Sequence, residues 1–98
     1  MSDEEIFKKM EPYVDKEILK IIQNLSADER KVLKYFLQNI SVGIIIAIRE
    51  LKALHRIQDP KAVIRSLIDK GLLEQGYGCY SLAKHLRKSL FRLIQNRS

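Results

Sequence analysis

The stretch DPKAVIRSLIDKGLLEQGYGCYSL, residues 59–82, constrains the fold more tightly than any other part of the chain. Asp59 followed by Pro60 is a helix start. The carboxylate can cap free amides, and proline at the first helical position lacks only an N–H that would have no helical partner. Val63, Ile64, Leu67 and Ile68 follow at helical spacing and mark a buried face. Gly71, after Lys70, is a left-handed stop. Two short apolar runs, Leu72 to Gln75 and Cys79 to Leu82, flank Gly76, Tyr77 and Gly78, where glycine permits positive φ in a tight turn. The pattern predicts a helix from residue 60 to about 70 and a small β-hairpin behind it.

Upstream, apolar residues at Ile6, Met10, Val14, Ile18, Ile21, Ile22 and Leu25 lay a stripe along one helical face, interrupted by Pro12. Proline is tolerated only in a first turn, so this predicts a short helix to about Glu11 and a second from about Pro12 to Asn24, with a kink as the alternative. Ser26 opens SADE, a capping box, and Val32, Leu33, Phe36, Leu37 and Ile40 carry the next helix to about Asn39. SVGIIIAI reads as a short extended piece to about Ile45 followed by a helix from about Ile46 to Arg56; one continuous helix is the other option. A final helix, from about Ala83 to Gln95, sets Leu86, Leu90, Leu93 and Ile94 against a basic face of Lys84, Arg87, Lys88 and Arg92.

With 98 residues, the chain has apolar surface for one core, and 46% hydrophobic with 31% charged residues is the balance of a soluble globular protein. No apolar run approaches the roughly 20 residues of a membrane span. The N-terminus is acidic before it is apolar, the reverse of a secretory signal, so a cytoplasmic location is expected. Cys79 is the single cysteine, and with His55 and His85 it makes no metal-ligand spacing. No phosphate-cradling glycine loop or nucleophile motif is present, so neither catalysis nor a cofactor is expected. Cys79 reads as a small strand residue, His55 as a partly exposed polar residue and His85 as part of the basic face.

The net charge of +6 is unevenly spread. Residues 1–25 carry six acids and four bases, whereas residues 51–98 carry ten bases and three acids, which draws polyanions to the C-terminal half.

The order helix, short strand, helix, helix, hairpin is that of a winged helix–turn–helix. RELKALHRI (49–57), DPKAVIRSLIDKGLLEQ (59–75), a glycine turn and CYSL together resemble the winged-helix domains of MarR-like and ArsR-like regulators. Glu50 and Leu51 match the "EL" pair opening the first helix of the motif, and Lys70, Gly71 and Leu72 match the "KGL" that ends the second. The resemblance covers roughly residues 26–82 and points to a small prokaryotic, archaeal member. It implies a mainly α fold with a small β-hairpin: a winged helix–turn–helix domain at 26–82, a helical extension at 1–25 and a basic amphipathic helix at 83–98. The function it implies is that of a DNA-binding protein, a transcriptional regulator or chromatin-associated factor, with helix 60–70 in the major groove of double-stranded DNA.

Taken as a groove reader, that helix turns Lys61, Ala62, Arg65, Ser66 and Asp69 outward. Arg65 has the planar fork that matches guanine, Lys61 and Arg56 suit phosphates, and Gln58 could reach either. Tyr77 at the wing tip either touches sugar and phosphate or packs on its own hairpin. Two features oppose this reading: Asp59 puts a negative charge where a phosphate would approach, and the wing EQGYGCY holds no lysine or arginine. They favour an alternative, a non-catalytic accessory subunit of a replication or transcription complex acting through protein contacts. The apolar stripes of the terminal helices suggest a homodimer paired across a two-fold axis; packing on their own domain is the monomeric alternative.

Overall fold

The computed structural model describes residues 3–95; Arg97 and the side chain of Ile6 lie outside the described part. Six helices and three strands follow in order: α1 (Asp3–Met10), a single 3-10 turn (Glu11–Tyr13), α2 (Lys16–Gln23), α3 (Ala27–Asn39), β1 (Ser41–Gly43), α4 (Ile44–Ala53), α5 (Pro60–Asp69), β2 (Leu73–Gln75), β3 (Cys79–Leu82) and α6 (Lys84–Gln95). The mainly α class and the hairpin are as expected. The hairpin gains a third strand: β1 pairs antiparallel with β3, giving the order β1-β3-β2 with Val42 opposite Tyr80 and Leu73 opposite Leu82.

Pro12 does not open the second helix. It sits in the 3-10 turn, which the Val14 amide closes onto the Glu11 carbonyl at 3.3 Å, and Val14 is extended. The Tyr13 carbonyl that a helix would use accepts instead from the Ser89 hydroxyl of α6 at 2.7 Å. Helix α2 therefore starts four residues later than the proline signal indicates. Ser26 and Glu29 form the expected capping box of α3, at 3.2 Å and 3.0 Å.

Helix α3 ends abruptly at Ile40, whose φ of +61° is rare for a β-branched residue. Such a backbone costs roughly 1–3 kcal/mol. It places both Ile40 backbone groups in good bonds: the amide to the Phe36 carbonyl at 2.8 Å, and the carbonyl to the Leu82 amide at 2.7 Å. That second bond ties the helix end to the central strand.

Strand β1 stops at Gly43, two residues sooner than expected, because the Ile44 amide donates to the Gly78 carbonyl of the hairpin turn at 3.1 Å and the helical ladder of α4 begins at once. Ala47 and Leu51, one turn apart, are fully buried. The helix closes with the Ile57 amide on the Leu51 carbonyl at 3.1 Å around Arg56, whose φ is +56°. This is the left-handed closure that glycine usually supplies, here carried by an arginine. Gly71, at φ +77°, makes the corresponding closure of α5.

One apolar cluster runs through the described residues. Phe36, Leu33, Leu51, Ile64, Leu67 and Leu82 form its centre, and Met10, Ile22 and Leu86 bring the terminal helices onto it. Arg30 of α3 lies over the Phe7 ring of α1 at 5.5 Å from the centroid. The described stripe residues of the terminal helices are thus largely covered within one chain. Phe91 and Ile94 of α6 remain exposed.

Candidate interaction surfaces

Helix α5 is held against α3 by a polar network that the periodicity of neither helix reveals. Glu29 is buried, and while its Oε1 completes the capping box, its Oε2 accepts from the Ser66 hydroxyl at 2.7 Å and from the Lys70 ammonium. Desolvation pushes the Glu29 carboxyl up. The Lys70 ammonium, the Ser26 amide and the Ser66 and Ser26 hydroxyls outweigh it and hold the carboxyl down at about 2. Every acceptor site in use is thus matched by a donor, so the buried charge costs little and fixes how α5 lies on α3.

The sequence-predicted contact residues fall into separate places. Lys61 and Arg65 stand together, lining a shallow pocket of about 160 Å³ with Gln75 and the edge of Tyr80. Ala62 and Gln58 are exposed beside them, and Asp59 caps the helix through the Ala62 amide at 3.3 Å. Ser66 is not an outward residue; its hydroxyl is turned to Glu29. Arg56 is exposed but lines a different cleft, with Lys31, Lys34, His55 and the Tyr35 ring. There the Tyr35 hydroxyl donates to Glu50, and burial followed by that carboxylate raises the phenol well above its usual range. His55 packs edge-on against Tyr35 at 5.6 Å, so it is part of the packing. His85 is exposed on the same side of α6 as Lys88 and Arg92, with its Nε2 bonded to the Gly71 carbonyl at 2.6 Å. Arg87 approaches Glu74 at 3.9 Å.

Tyr77 projects fully into solvent from the wing tip and does not pack on its own hairpin. The wing is short, and its turn sits against the first turn of α4. A Cβ on Gly43 would lie 3.9 Å from Ile46 Cδ1 and 4.0 Å from the Gly78 carbonyl. Ile45 and Ile46 are 73% and 55% exposed, values that belong to surface lysines more than to isoleucines. A signal for them was present in the sequence: three consecutive isoleucines sweep about 200° of a helix at 100° per residue, too wide for one buried face. Among the described residues no group of His, Cys, Asp and Glu is placed to hold a metal ion, and no helix is long and apolar enough to cross a membrane.

Fold and surfaces together define a small helix-rich module, braced by a three-stranded sheet, that turns separate basic and apolar faces to solvent. The profile of a family described as PolB1 Binding Protein 2 matches residues 26–88, and the chain belongs to that family. No curated protein matches it. The match overturns the assignment to MarR-like or ArsR-like regulators, and with it transcription regulation and the role of a DNA-binding winged helix.

The residues behind that resemblance explain the error. Leu51 and Leu72 are fully buried, Glu50 accepts from Tyr35, Lys70 pairs with Glu29, and Gly71 supplies a left-handed φ. All of them serve the packing of α3, α4 and the end of α5, which many unrelated functions share.

Proposed function

We propose that this chain is a non-catalytic accessory subunit of DNA polymerase B1, acting through protein–protein contact. The observation that carries the reading is the family match over residues 26–88, which take in α3, the sheet, α4, α5 and the start of α6. Two features support it. The wing is short and holds no lysine or arginine, poorly suited to gripping phosphates, and large apolar side chains face solvent beside it, as interface cores do. The exposed cations Lys61 and Arg65, with Arg56 on the neighbouring cleft, steer the encounter with an acidic protein surface and assist nearby DNA without sequence preference. No homodimer is required.

The test is to mix the purified chain with purified DNA polymerase B1 and follow the complex by light scattering and calorimetry, with random duplex DNA across a salt series in parallel. A defined complex of micromolar or tighter affinity, with DNA binding weak and indifferent to sequence, is the expected result. Sequence-selective DNA binding without any polymerase complex would overturn the proposal.

A further inference from the structure

Helix α4 has an unusual outward face. At 100° per residue, Lys52, Ile45, Arg49, Ala53 and Ile46 occupy one arc of about 120°, and each of them is exposed. The helix has one acid, Glu50, and it lies outside that arc, half-buried and bonded to Tyr35. The arc is therefore apolar at its first turn, and the only charges it carries, one to two turns along, are the cations Arg49 and Lys52. Arg49 and Lys52 have neither an ion pair nor a side-chain hydrogen bond among the described residues. The wing adjoins the apolar end: the Ile44 amide is bonded to the Gly78 carbonyl, which seats the Gly76–Gly78 turn beside the first turn of α4, and Tyr77 at the tip of that turn is fully exposed.

Building on the accessory-subunit reading above, we propose that this face of α4, with Tyr77, is the surface that docks the polymerase. The polymerase segment it takes presents apolar side chains against Ile45, Ile46 and Tyr77, and carboxylates within about 10 Å against Arg49 and Lys52. Charge selects this occupant. A second copy of the chain, paired across a two-fold axis here, would set Arg49 and Lys52 against cations or against isoleucines but never against an acid, since the arc holds none, and a chain of net charge +6 offers its partner little to offset that. Position selects it as well, because the face lies wholly within residues 26–88, the part shared with a family described by its binding to PolB1. The other exposed apolar pair, Phe91 and Ile94, lies beyond that part. An aromatic ring beside two aliphatic side chains, rimmed by arginine and lysine, is also the composition of an interface hot spot.

The experiment measures the affinity of the full chain for purified DNA polymerase B1 at low and moderate salt, for the unmodified protein and three variants. Ile45→Glu combined with Tyr77→Ala removes apolar contact and introduces a charge the partner repels. The first turn of α4 holds no acid, and a carboxylate there favours the helix dipole, so the melting temperature should not fall. Arg49→Glu tests the charge, and Phe91→Ser with Ile94→Ser is the control. Expected are a loss of about tenfold or more for the first variant, a smaller loss with a flattened salt dependence for the second, and affinity within about twofold for the control.

If the unmodified chain binds the polymerase and the α4 and wing variants bind equally well, this surface is wrong while the accessory reading stands. Absence of binding by the unmodified chain overturns both. A dimer in light scattering that Ile45→Glu with Tyr77→Ala converts to a monomer would assign the face to self-association and likewise overturn the proposal.

Discussion

Two regions of this molecule invert the usual placement of side chains, in opposite directions. Between α3 and α5 a carboxylate, Glu29, is buried; on the outer face of α4 and at the wing tip, two isoleucines and a tyrosine stand in solvent. Their surroundings distinguish the two. Glu29 is matched by donors on both oxygens, from Ser26, Ser66 and Lys70, and the chain itself completes its chemistry. Among the described residues nothing lies over Ile45, Ile46 and Tyr77, and only another molecule can complete theirs. A satisfied anomaly is architecture, whereas an unsatisfied one is an invitation to a partner.

The largest expected effect breaks the satisfied side. Glu29→Ala removes one half of the capping box and the acceptor that holds Ser66 and Lys70, and should cost on the order of 2–3 kcal/mol in urea unfolding. A loss below about 0.5 kcal/mol would mean that α5 is placed by its apolar face alone.

The same group dictates an acid dependence. Its carboxyl is lowered from 4.5 to about 2 in the folded state, so the contribution is complete above pH 4.5 and drains away as pH falls toward 2. In thermal melts of the wild type and Glu29→Gln, the gap between them should be constant above pH 5 and shrink below pH 4.5. A gap that widened with acidification would reverse the sign and refute the network.

Smaller effects sharpen the contrast. Arg56 holds a φ of +56° that glycine adopts without strain. Arg56→Gly should therefore leave stability unchanged or raise it by up to about 1 kcal/mol, although a charge is lost from the cleft beside Lys31. A drop of more than 1 kcal/mol would show that the arginine side chain packs in a way its exposure does not suggest. Least of all should Ile45→Glu alter folding: within about 0.5 kcal/mol by chemical denaturation, since no core contact is removed. A large loss there would move Ile45 from the interaction surface to the core.

Much of the architecture was legible in the chain. The Ser26–Glu29 box, the Asp59-Pro60 start, the Gly71 stop and the glycine turn are local devices, each completed by residues within a few positions of one another, so their sequence spacing is their geometry. The start of α2 and the end of β1 were misplaced because distant residues settle them: Ser89 claims the Tyr13 carbonyl, and Gly78 claims the Ile44 amide. The candidate surface was harder still. Helical spacing lists Ser66 as an outward residue, yet it turns to Glu29, 37 positions away.

By itself, then, the sequence determined the number and order of the helices, the hairpin, the concentration of positive charge in the C-terminal half and the excess of isoleucine at the head of α4, because propensity, capping and composition act within a few residues. Tertiary structure alone decided that β1 completes the sheet, that Glu29 is an internal anchor, that Met10, Ile22 and Leu86 of the terminal helices join the core, and which isoleucines are left to solvent. Each of these is the outcome of competition between groups far apart in the chain for the same donor, acceptor or patch of core, and only the folded packing resolves that competition.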